Sequence, residues 1–150
     1  MAARARFLEL FVLALGGLAA CAAPGPTPSA AVYRGTLPCA DCPGIDTRLV
    51  LYADDADAEG GTYELSETYL DRSVAPLIST GHWTVQHGDA EDPDATVYVL
   101  AADKAAGGRY FLRRDDRSIE QLDRQQRPII APRNFTLTAE GAALPPPDSR

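Results

Sequence analysis

The sequence has no apolar run of the length a bilayer demands: Phe7 to Ala20 spans 14 residues and is broken by Glu9, where a spanning helix takes about 20. Cysteine is scarce. Three of them, Cys21, Cys39 and Cys42, are too few to staple a disulfide-dense mini-domain. Basic residues never gather with aromatics, and the formal charge is −7, so phosphate backbones are repelled and nucleic acid is excluded as a partner. Catalytic signatures are missing too. Ser66, Ser73 and Ser79 sit in no nucleophile elbow, no glycine-rich loop cradles phosphate, and the carboxylates cluster in turns where solvated charge is expected. No internal repeat and no amphipathic helix stand out.

What is present begins with the amino terminus. Met1 to Arg6 is short and basic, and the apolar run behind it has the length of a signal-peptide core. It ends Leu18-Ala19-Ala20-Cys21, which resembles the lipobox of bacterial lipoproteins. There the chain is cut before the cysteine, whose sulfur then carries lipid. Residues 1–20 are therefore expected to be a lipoprotein signal peptide, and Cys21 the lipidated first residue of the mature chain. Residues 21–31, rich in proline and alanine, form an extended tether. Several acyl chains, each CH₂ contributing about 0.8 kcal/mol, hold a protein to a membrane almost permanently. By the same resemblance, alanine rather than aspartate at position 22 favours the outer membrane, and the body is then expected to face the periplasm.

From Val32 the chain alternates short β-patterned segments with turn chemistry. The expected strands are 32–37, 45–52, 62–70, 77–86, 96–101, 109–113, 118–123 and 134–138. Trp83 and Val85 alternate with Thr84 and Gln86, making Trp83 the best core anchor. Gly81 marks a bend or bulge. Eight strands at this spacing point to an all-β fold, an antiparallel sandwich or barrel over residues 32–138. A closed meander barrel is the simplest topology and leaves no exposed edge. Residues 139–150, ending in a proline-rich stretch, are expected to be a disordered tail.

The stretch that stands apart is Leu37-Pro38-Cys39-Ala40-Asp41-Cys42-Pro43-Gly44. A C-x-x-C is a disulfide staple, half of a soft-metal or redox site, or a thiol catalyst. Thioredoxin-type chemistry wants a helix starting at the first cysteine, and here Pro43-Gly44 and a strand follow. Zinc wants four ligands, and His82 and His87 lie far along the chain. Two thiolates suit Cu(I), although the periplasm oxidises thiols. Asp55 to Gly60 copies the start of a calcium loop, but Ser66 stands where its bidentate Glu belongs, so a solvated turn is expected. Asp89 to Asp94 reads the same way.

Tyr33, Gly35, Leu37-Pro38-Cys39-Ala40-Asp41-Cys42, Gly44-Ile45, Leu49 and Leu51, Tyr63 and Leu65, Glu67 and Tyr69, Gly81 and Trp83, Leu122-Asp123 and Asn134-Phe135-Thr136-Leu137 together resemble the NlpE N-terminal domain family. The resemblance implies a distorted, lipocalin-like barrel on an outer-membrane lipoprotein. It further implies links to copper tolerance and envelope-stress signalling, and contact with the periplasmic domain of a sensor histidine kinase. Longer family members carry a second domain with its own cysteine pair; these 150 residues hold no second pair.

Function then divides into classes. The first is a membrane-tethered lipoprotein that acts by binding and carries no cofactor, with weak Cu(I) at Cys39 and Cys42 as the one metal to consider. The others are a carrier of a small hydrophobic ligand, since an eight-stranded barrel just encloses one, a thiol oxidoreductase at the cysteine pair, and a lysozyme-inhibitor-like barrel.

Overall fold

The computed structural model describes residues 29–54, 59–102 and 108–144. Along them run β1 (Ala30–Leu37), β2 (Ile45–Ala53), β3 (Gly60–Tyr69), β4 (Leu77–His87), β5 (Thr96–Ala102), β6 (Arg109–Arg113), β7 (Ser118–Gln121) and β8 (Thr136–Ala139). Each strand pairs antiparallel with the next, and β8 returns to β1 through Tyr33↔Ala139 and Arg34↔Thr138, closing a barrel. Of the two expected architectures, the chain forms the meander barrel.

The two-residue period of a strand decides what faces inward. On β3, Tyr63, Leu65 and Glu67 are buried while Thr62 is exposed. The same alternation elsewhere sends Tyr33, Leu49, Leu51, Trp83, Tyr98, Phe111, Ile119 and Leu137 into one core. Trp83 is fully buried. Its indole Nε1 donates to the Tyr52 carbonyl at 3.0 Å, and its ring meets Tyr98 edge-on with centroids 5.6 Å apart. A second, smaller cluster lies outside the wall: Ala95, Val97 and Leu112 are covered by Leu122. That coverage explains why Leu122 and Asp123 leave the expected strand. Leu122 bridges to Pro128, and Asp123 turns the chain by accepting from the backbone of Gln125 and Arg127.

Both ends of the body reach further than expected. β1 starts at Ala30, and Ala31, assigned to the tether, is fully buried and paired with Leu51. At the other terminus, Ala139 completes β8. Gly141, with φ of 94°, turns the chain, and Leu144 packs into the core beside Ala143. The expected tail therefore begins no earlier than residue 145. An apolar residue that fills a barrel end outweighs the weak strand pattern around it. Residues 145–150 lie outside the described residues.

Two glycines are placed by close approach. Gly81 is no bulge, because its pairing with Tyr63 continues the ladder. A Cβ there would sit 2.5 Å from the Ala101 carbonyl oxygen and 3.0 Å from the Tyr63 ring. Gly61 belongs to β3 rather than to the turn, and its missing Cβ would fall 1.9 Å from the Tyr52 oxygen that Trp83 uses.

In a meander barrel alternate turns share an end. The carboxyl ends of β1, β3, β5 and β7 mark one end, here called the rim. The carboxyl ends of β2, β4, β6 and β8, the start of β1 and Leu144 mark the base.

Candidate functional site

Residues 38–44 connect β1 to β2 at the rim and carry the cysteine pair. Cys39 and Cys42 are joined by a disulfide, with Cα atoms 5.3 Å apart. Proline on either side stiffens the loop. Gly44 closes it, its carbonyl accepting from the Leu70 backbone at 3.0 Å and a Cβ there meeting the Thr36 methyl at 2.4 Å. Cys39 is buried and Cys42 half-buried.

Two arginines that sequence reasoning passed over clamp this loop. Arg133, from the segment before β8, donates through Nη1 to the Cys39 carbonyl at 2.7 Å. Arg72, from the turn after β3, pairs with Asp41 at 2.6 Å and lies 5.5 Å over the Tyr69 ring. Neither partner is near in sequence, and no local pattern announces a loop-to-loop contact.

Behind the loop, a cavity of about 500 Å³ opens at the rim between Pro38, Leu65, Leu100 and Arg124. Glu67 and Arg109 face into it as a fork-to-fork ion pair, both Nη atoms 2.8 Å from the two carboxylate oxygens. Glu67 is 3% exposed. The signal was in the period: Glu67 continues the inward run of Tyr63 and Leu65, and Arg109 shares parity with buried Phe111.

As bonded, the cysteine pair presents no thiolate, the species that attacks a disulfide or ligates a soft metal. β2 rather than a helix follows it. His82 and His87 are exposed on β4. Among the described residues no three His, Cys, Asp or Glu side chains converge on a possible metal position, and the bonded Cys39–Cys42 pair offers Cu(I) no thiolate. Asp89 accepts from the backbone of Glu91 and Asp92 at 2.8 and 2.7 Å, a self-capped turn. Cys21 and most of the calcium-like stretch, residues 55–58, lie outside the described residues.

The family described as NlpE N-terminal domain matches residues 33–131, a span that holds the cysteine loop, Glu67 and Arg109. Lipoprotein NlpE of Escherichia coli (strain K12) is 34% identical over 115 residues, covering 75% of this chain and 42% of that protein. The 17 kDa lipoprotein of Treponema pallidum (strain Nichols) is 44% identical over 57 residues, 37% of this chain and 33% of its own length. A lipoprotein crystal structure from Shewanella oneidensis superposes with a TM-score of 0.47 at 24% identity, covering 73% of this chain and 87% of that one. The chain spans less than half the length of either curated relative.

Proposed function

This chain belongs to the NlpE N-terminal domain family, and from that premise we propose that it is a lipid-anchored envelope lipoprotein that acts by binding and not by catalysis. Acylation at Cys21 fixes the base of the barrel toward the outer membrane. The rim, with Cys39 and Cys42, is held out into the periplasm, where it meets the periplasmic domain of a sensor histidine kinase in envelope-stress signalling or copper homeostasis.

One observation carries this reading. β1 runs from the tether at the base to the cysteine loop at the rim, and eight residues of strand span roughly 25 Å. The one chemically distinctive loop therefore sits at the far side of the body from its anchor. The clamps from Arg72 and Arg133 give that loop a fixed shape, which suits recognition. The bonded cysteines and the strand behind them offer no activated nucleophile.

The test is overproduction of the protein and of its Cys21→Ala variant beside an envelope-stress reporter. The acylated form is expected to fractionate with membranes, and the variant to lose the anchor and shift the reporter. No reporter response from either form would contradict the proposal.

A further inference from the structure

Glu67 is a carboxylate in a position where an apolar side chain would serve. It follows Tyr63 and Leu65 on the inward face of β3. Thr47 is the other buried polar residue among the described residues. Replacing a buried ion pair by apolar groups of similar volume is often neutral or stabilising, so barrel stability does not account for this one. Its setting does. Arg109 reaches Glu67 from β6, 42 residues away in sequence, and spends two of its five N–H donors there. Its side chain is 37% exposed while that of its partner is 4% exposed, and it lines the rim cavity.

That cavity is amphipathic in a definite order. Leu65 lies one inward step deeper than Glu67 on β3, Leu77 and Leu100 lie level with the ion pair as the strand partners of Glu67 and Arg109, and Leu37 and Ile45 lie nearer the mouth. Its volume falls within the range of about 300–1,000 Å³ found for small-molecule sites. A charge-assisted donor set in a wall that is part leucine and isoleucine and part polar, with Gln121, Asp123 and Arg124 beside the ion pair, suits a group that is anionic at one end and hydrocarbon at the other.

We propose that the rim cavity binds an amphiphile with a single hydrocarbon chain and an anionic head. The head enters first and takes the remaining donors of Arg109, and the chain lies against Leu37, Ile45 and Leu77. Glu67 sets the strength of the site by holding the guanidinium in place and offsetting its charge.

The experiment uses the full mature protein in lipid nanodiscs, with leucine methyl groups labelled for NMR. The probes are laurate, dodecyl phosphate, dodecanol and dodecyltrimethylammonium, and the readout is the shift of the Leu65 and Leu100 methyls, which empty nanodiscs cannot mimic. Either anion is expected to move these methyls saturably and in preference to the alcohol and the cation. Which of the two does so identifies the head as carboxylate or phosphate. Glu67→Gln leaves the arginine charge uncompensated and should tighten the anion by about tenfold, whereas a merely structural pair would give no gain. The double variant Glu67→Gln/Arg109→Gln, which leaves no buried charge unpaired, should bind laurate no better than dodecanol. Methyls that ignore every probe, or equal binding of laurate and dodecanol in all three proteins, would overturn the proposal. Either result would leave the anchor and the rim's outer surface untouched, so the proposed function stands or falls separately.

Discussion

Arg133 donates to the carbonyl oxygen of Cys39 at 2.7 Å, tying the segment before the last strand to the loop after the first. This bond holds the cysteine loop against the body across 94 residues of chain. Arg133→Ala is expected to cost about 1 kcal/mol, modest because the arginine is exposed. The effect should appear locally, as faster amide exchange in residues 38–44 and faster reduction of the disulfide. Unchanged exchange there would show that the clamp does not restrain the loop.

The disulfide closes a very small ring, so its contribution through the unfolded chain is limited to about 2 kcal/mol. Reduction, or the paired change Cys39→Ser and Cys42→Ser, should lower the melting temperature while leaving the far-ultraviolet circular dichroism that of a β protein. Cu(I) competition with a chromophoric chelator should show no uptake by the oxidised protein, which has no thiolate to offer. Uptake by the bonded form would point to ligands outside the cysteine loop.

Trp83 anchors the core by both shape and hydrogen bond. Trp83→Ala should destabilise by about 3–5 kcal/mol, a large part of the 5–15 kcal/mol typical of a domain. Trp83→Phe keeps most of the packing but leaves the Tyr52 carbonyl without its indole donor, at about 1–3 kcal/mol. Urea titrations followed by circular dichroism measure both.

Burial raises the phenols of Tyr33 and Tyr98 above their ordinary value of 10.0. The folded state thus keeps protons that the unfolded chain releases above pH 10, and stability must fall as pH rises through that range while remaining unaffected below it. Phenolate absorbance should show Tyr33 and Tyr98 ionising only as the barrel unfolds. Tyr98→Phe should flatten the alkaline loss of stability.

The strand pattern was legible because its period is local. Alternation around Leu49, Leu51, Tyr63, Leu65 and Trp83 places each strand and its inward face, and closure follows from consecutive hairpins. What escaped was set by distance. Leu144 looks like part of a tail until a barrel end needs filling, and Leu122 looks like strand until an outer patch of Val97 and Leu112 needs cover. The cysteine loop was visible as a motif, but Arg72 and Arg133 were not, since nothing in their neighbourhoods says what they will touch. Glu67 was a half-visible case. Its inward parity could be read, and only the fold supplies Arg109 to neutralise it.

Mass spectrometry of the mature protein, extracted from membranes after blocking free thiols, tests the central claim most directly. The account predicts a chain that begins at an acylated Cys21, with Cys39 and Cys42 bonded to each other and unmodified by the blocking agent. A soluble, unacylated chain, or one with both rim thiols blocked, would contradict it.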